Sequence, residues 1–140
     1  NFDVFIKNLL RLWYEKILLL TSVNLWGDYL GKSPKGHKQQ EGDQRTPEGH
    51  YLLDFIIEDS SFYRSIHISY PNTSDQQLAQ LRGVNPGGDI KIHGLKNGDE
   101  REPGFVQSFD WTNGCIAITN QEMDEFLSLV QPGVPIHIEW

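Results

Sequence analysis

Cysteine is nearly absent from this chain, with one residue, Cys115, among 140. A lone cysteine excludes an internal disulfide and any zinc cage of several thiolates, so cysteine usage does not place the redox compartment. Cys115 is therefore either a small buried hydrophobe or a reagent. Positive charge is also scarce: twelve Lys and Arg stand against nineteen Asp and Glu, for a net charge of −7. The basic residues are scattered, which excludes the phosphate-tracking surface that a nucleic-acid partner requires. No apolar run approaches the roughly 18 residues of a membrane span, and Ile17-Leu18-Leu19-Leu20 is closed off by Lys16 and Thr21. His-Glu-x-x-His and short-spaced histidine pairs are missing, so no metal is expected. Gly87-Gly88 lacks a following Lys-Ser or Lys-Thr and reads as a turn rather than a phosphate loop. Asp54, Glu58 and Asp59 lie along a strand end and loop, which is a poor layout for a glycosidase pair and predicts solvated carboxylates. The chain opens on Asn1 with no initiator Met, so the absence of a signal segment or anchor from it shows nothing.

Aromatic residues are plentiful: seven Phe, four Trp and five Tyr, enough for the core of one domain over residues 1–140. Residues 2–30 read both ways, with Ile6, Leu9, Leu10, Trp13 and Ile17 at near-helical spacing while Ile17 to Val23 suits a strand. Gly31 to Gly49 is polar and glycine-rich, as expected of a surface loop. Period-two runs at Tyr51–Ile57, Ser65–Ser69, Asp89–His93 and Cys115–Thr119 predict strands. Two helices are expected. Ser74 to Leu81 opens on Ser74 and Gln77 as a capping box, and Thr119 to Val130 opens on Thr119 and Glu122 in the same way. In the second, Met123, Phe126, Leu127 and Val130 fall on one face, and Pro132-Gly133 ends it. Ile136, Ile138 and Trp140 then alternate with His137 and Glu139, as in a half-buried closing strand.

Thr112-Asn113-Gly114-Cys115 lies between a long loop and a strand start, where a side chain can be presented at the rim of a sheet. Gly114 keeps a Cβ out of the approach path and allows backbone amides to converge as an oxyanion hole. A thiol near its reference pKa of about 8.5 is mostly protonated at neutral pH, so catalysis would need a base beside it. His93 is the candidate. It ends Asp89-Ile90-Lys91-Ile92-His93, where Ile90 and Ile92 take one face and Asp89, Lys91 and His93 the other. On composition alone an ordinary half-buried cysteine and a strand-end histidine explain these residues better than a catalytic pair does.

His93-Gly94, eighteen residues from Gly94 to Trp111, and then Thr112-Asn113-Gly114-Cys115-Ile116 resemble the signature of the L,D-transpeptidase catalytic domain of YkuD type. Gly36-His37-Lys38-Gln39-Gln40-Glu41-Gly42-Asp43, Arg45-Thr46-Pro47-Glu48-Gly49, His67-Ile68-Ser69-Tyr70-Pro71-Asn72 and Pro86-Gly87-Gly88 extend the resemblance over about residues 31 to 138. It implies a mostly β fold, a sandwich with a mixed sheet and two short helices. Cys115 would attack a peptidoglycan stem peptide and form a thioester, His93 would act as base, and the Gly94 carbonyl would orient the imidazole. Thr112, Asn113, Gly114, His67 and Tyr70 would contact substrate. The resemblance implies a periplasmic or cell-envelope location, no cofactor, and a monomer.

Two positions depart from the family pattern: Asn113 stands where histidine is usual before Gly-Cys, and Ala117 where Arg or Asn is common. Asn113 can still donate a hydrogen bond, but Ala117 cannot hold a carboxylate. The form Trp111-Thr112-Asn113-Gly114-Cys115-Ile116-Ala117 is similar to a branch that includes enzymes cleaving murein from an outer-membrane lipoprotein, so hydrolysis stands beside transfer, with that lipoprotein as a further partner. A non-catalytic wall-peptide-binding module with an idle Cys115 and His93 is the reading from another class. The Gly94 to Trp111 spacer, with turns at Gly98, Pro103 and Gly104, predicts a flap carrying Phe105, Phe109 and Trp111 over the site. His37, His50 and His137 are expected to be solvated or locally bonded.

Overall fold

A computed structural model of the protein describes residues 23–26, 31–33, 35–102 and 112–139. The elements in chain order are β1 (Val23–Trp26), β2 (Gly49–Ser60), β3 (Tyr63–Ile68), α1 (Thr73–Arg82), β4 (Lys91–His93), β5 (Ile116–Ala117), α2 (Asn120–Leu129) and β6 (Pro135–Glu139). The helical spacing over residues 6 to 17, the strand candidate before Val23, and Phe105, Phe109 and Trp111 of the expected flap lie outside the described residues. Among the described residues no helix is long and apolar enough to cross a membrane.

The strands join in one mixed sheet in the order β1-β6-β2-β3-β4-β5. β1–β6 and β4–β5 are parallel, and the other pairs antiparallel. The long strand β2 is shared between two sections: Gly49 to Leu52 pair with β6, whereas Leu53 to Ser60 pair with β3. The mostly β class, the mixed sheet and the two helices expected from sequence are all present.

Alternation decides which residues face inward. Tyr51, Leu53, Ile66, Ile68, Ile92, Ile116, Ile136 and Ile138 are buried and form one cluster with Met123 and Phe126 of α2. α2 starts where the sequence predicts, with Thr119 as N-cap and Glu122 returning the bond. Truncating Phe126, which is completely buried, to alanine is expected to cost about 3–5 kcal/mol. Urea denaturation would register that as a lower midpoint with an unchanged m-value.

Several expected boundaries shift. The cap of α1 is Asn72, not Ser74, and its box partner is Asp75, not Gln77. The carboxylate of Asp75 also accepts from Tyr51 Oη at 3.0 Å and bonds His37 Nε2 at 3.1 Å, so three segments compete for the cap that local spacing assigns elsewhere. Asp89 has φ of +57° and lies outside β4, and Cys115 precedes a β5 of two residues. Asp54, expected in solvent, is partly covered and pairs with His67 at 2.8 Å, whereas Glu58 is exposed as expected and pairs with Arg64 at 2.6 Å.

Candidate active site

Sheet register lays two rows of residues across one face of β2 to β5. In the first, Ile57 lies opposite Ser65, Ser65 opposite His93, and His93 opposite Ala117. In the second, His67 lies opposite Lys91, and Cys115, one residue ahead of the Ile92–Ile116 pair, comes level with Lys91. Neighbouring residues in register project to the same side of a sheet. The thiol of Cys115 and the imidazole of His93 therefore come from adjacent strands onto one face, and both line a cleft of about 520 Å³ with Lys91, Phe62, Thr112 and Asn113.

His93 is 4% exposed, and its Nδ1 lies 2.7 Å from the Gly94 carbonyl oxygen. A carbonyl only accepts, so Nδ1 carries the proton and Nε2 is the basic nitrogen. The Phe62 ring packs against the imidazole with centroids 4.6 Å apart. Burial pushes the histidine pKa down, against the opposing pull of the Gly94 bond, so the ring rests neutral. Gly94 has no room for a side chain: a Cβ there would stand 2.6 Å from Asn120 Oδ1 and 2.8 Å from Tyr63 Cβ. Asn120 Oδ1 also accepts from the Leu95 amide at 2.9 Å. The carbonyl that holds the imidazole is itself held.

Cys115 is half-buried, and its Sγ lies 3.7 Å from the Asp89 carbonyl oxygen. Burial pushes the thiol pKa up, with the Lys91 backbone bond and charge acting in the opposite direction. The resting pair is accordingly a neutral thiol beside a neutral imidazole. The turn before the thiol is closed by Thr112, whose hydroxyl donates to the Cys115 carbonyl at 2.6 Å and accepts from the Gly114 amide at 3.2 Å. The Thr112 hydroxyl and the Gly114 amide are thus bonded to each other within the turn, while Thr112 also lines the cleft. Gly114 itself has φ of +130°, and a Cβ on it would stand 2.6 Å from the Arg45 carbonyl oxygen. Gly114→Ala is expected to cost about 2 kcal/mol or more and to slow alkylation of Cys115 as the turn shifts. A thermal melt with an iodoacetamide time course would detect both effects.

A second cavity of about 480 Å³, lined by Lys38, Gln44 and Gly87, shares Asp89, Asn113 and Cys115 with the first. Its wall is the polar loop that the sequence places at the surface. Lys38 is 4% exposed and pairs with Asp43 at 2.9 Å, whose carboxylate also accepts from the amides of Gln39, Gln40 and Arg45. These bonds hold the Asp43 pKa below the usual carboxylate range despite burial. Sequence reasoning missed Lys38 and Asp43 as parts of the site. The available signal was an aspartate placed to cap three following or preceding amides in a glycine-rich loop.

The other expected contacts divide. Asn113 lines both cavities. His67 sits on the same face as Lys91 but pairs with Asp54 and stacks on Phe55. Tyr70 is 3% exposed within the core, its hydroxyl donating to the Pro86 carbonyl at 2.8 Å. His37 is bonded on both nitrogens, to Asp75 and to the Glu48 amide, while His50 and His137 stack with centroids 4.3 Å apart. Among the described residues no group of three or more His, Cys, Asp or Glu could hold a metal ion.

The family model of the L,D-transpeptidase catalytic domain, YkuD, matches residues 12–138. The Escherichia coli K12 protein named "Putative L,D-transpeptidase YafK" is 32% identical over 113 residues, which are 74% of this chain and 38% of that protein. The helical cell shape determining protein Pgp2 from Campylobacter jejuni superposes with a TM-score of 0.61 at 29% identity, over 82% of this chain and 37% of Pgp2. Bd1075 of Bdellovibrio bacteriovorus shares the fold, with a TM-score of 0.54 at 21% identity over 81% of this chain and 37% of Bd1075. The chain thus spans less than two fifths of the length of the relatives it matches. A match over nearly its whole length, and a relative of this identity, place the chain in the L,D-transpeptidase catalytic domain family.

Proposed function

We propose that the protein transfers an acyl group between peptidoglycan stem peptides through a thioester on Cys115, in the cell envelope. The observation that carries this reading is the shared cleft: Cys115 and a neutral His93, its Nδ1 tied to the Gly94 carbonyl, line one cavity. His93 Nε2 takes the thiol proton as sulfur attacks the peptide carbonyl carbon. The carbon–nitrogen bond then breaks, and the imidazolium returns the proton to the departing amine. An acceptor amine next gives a proton to His93 and attacks the thioester, and the sulfur leaves as a thiolate that is reprotonated. The Gly114 amide being engaged, the oxyanion is assigned to the Cys115 amide and the Asn113 side chain.

Two cavities that share Cys115 in their lining suit a reaction with two peptides, one entering as donor and one as acceptor. Water entering the acceptor side would instead give hydrolysis of a murein or murein-lipoprotein link. Incubation with disaccharide tetrapeptide and with lipoprotein-linked muropeptide, read by mass, separates the outcomes. Cross-linked dimers are the expected product. Cleaved monomers alone would make the protein a hydrolase, and no new mass from either would sink the enzymatic reading.

A further inference from the structure

The second row of the sheet continues beyond Lys91 into a feature that acyl transfer does not use. Leu53 pairs with Ile68 and Ile56 with Ile66, so two residues, Asp54 and Phe55, stand opposite the single residue His67. Such a bulge turns both side chains toward one partner. Asp54 Oδ2 lies 2.8 Å from His67 Nδ1, and the Phe55 ring lies flat on the imidazole, centroids 4.7 Å apart and 7° between planes. Half of Phe55 nonetheless stays in solvent, at 50% exposed. An aromatic ring pinned from beneath by the imidazole and open above, with the partly exposed Asp54 carboxylate at its edge, has the chemistry of a platform for a pyranose: the ring receives the apolar sugar face and the carboxylate receives hydroxyls. The carboxylate of Asp54 and the chain's net charge of −7 oppose an anionic occupant such as a substrate carboxylate.

Spacing says which sugar. Strands lie about 4.8 Å apart, which puts His67 about 10 Å and Phe55 about 14 Å from Cys115 along the row. Three extended residues span about 10–11 Å, which carries a stem peptide from the attacked carbonyl to the level of His67 and leaves the sugar that follows it at the level of Phe55. We propose that Phe55, set by the Asp54–His67 bulge, docks the muramyl end of the donor muropeptide, a step that rests on the reading of the cleft given above. The platform would make the protein select peptides still attached to glycan over free ones.

The test compares kcat/KM on a free tetrapeptide and on the same peptide carrying its disaccharide, for the protein, Phe55→Ala and Phe55→Leu, alongside an NMR titration with peptide-free disaccharide. The protein is expected to favour the sugar-bearing substrate by about tenfold, the magnitude one aromatic stack supplies. Both variants should lose that preference with free-peptide turnover unchanged, and disaccharide binding should persist in Cys115→Ala and vanish in Phe55→Ala. Phe55→Leu keeps apolar bulk in case the alanine variant does not fold. Turnover without sugar preference, and no shifts on adding disaccharide, would overturn the platform and leave the acyl transfer standing. Disaccharide binding through Phe55 with no turnover of either substrate would do the reverse.

Discussion

Replacing Cys115 by serine is expected to cut turnover of muropeptide by about 10³-fold or more, with the melting temperature within a few degrees of the parent. The side chain is half-buried and exchanges sulfur for a smaller oxygen, so packing changes little. The chemistry changes a great deal. A hydroxyl has a far higher pKa than a thiol, and a neutral imidazole does not activate it to the same degree. Intact mass after incubation with substrate should show an acyl adduct on the parent and none on the variant. Turnover above a tenth of the parent's would remove Cys115 from the nucleophile's role. Iodoacetamide gives an independent reading, since an idle thiol labels slowly and ignores substitution at His93.

His93→Gln is expected to lose about 10²- to 10⁴-fold in kcat/KM, the range of a positioned general base, and to change the pH profile in a defined way. The imidazole must be neutral to accept the thiol proton. Burial holds its pKa below the ordinary value of 6.5, so activity should persist as pH falls through the usual histidine range and fail only below it. That acid limb should be absent from the glutamine variant, and its persistence at the same pH would show that another group sets it. Stability follows with the same sign. An unfolded chain takes up a proton at the ordinary histidine value while the buried ring does not, so the native state loses stability as pH drops below 6.5, until the folded ring titrates too. The glutamine variant lacks that component and should lose less stability on acidification.

Much of this architecture was legible because the signals were local and periodic. Met123 and Phe126 on α2, Ile66 and Ile68 on β3, and Ile136 and Ile138 on β6 all follow the inward period that one residue pattern predicts. The cleft that Cys115 and His93 share was not legible from local pattern, because the pairing of β4 with β5 that lays both residues on one face joins segments far apart in the chain. What failed did so where tertiary partners outbid local pattern. Ser74-x-x-Gln77 satisfies the capping template, yet Asn72 takes the cap because Asp75 is also bonded by His37 and Tyr51. Asp89 fits the alternation of β4, but its positive φ turns it out of the strand and toward Lys91, 2.6 Å away. Tyr70 carries a polar handle near the site, and only the fold shows that Pro86 receives it.

The loop from Gly31 to Arg45 has the composition of a permissive insertion site, polar and rich in glycine, and its geometry is the opposite. A Cβ on Gly31 would stand 2.0 Å from the Gln44 carbonyl oxygen and 3.1 Å from Gly114 Cα. The Gly31 amide donates to Thr46 Oγ1 at 3.1 Å, and the Lys32 amide to the Thr112 carbonyl at 3.0 Å. The backbone that carries the thiol is thus seated directly against this loop, without side chains to absorb a displacement. Tags, graft peptides and chain breaks, which polar glycine-rich loops ordinarily accept, would here misregister the nucleophile by whatever length they add, and drift in loop length among descendants of this domain should be purged as strictly as substitution of the cysteine.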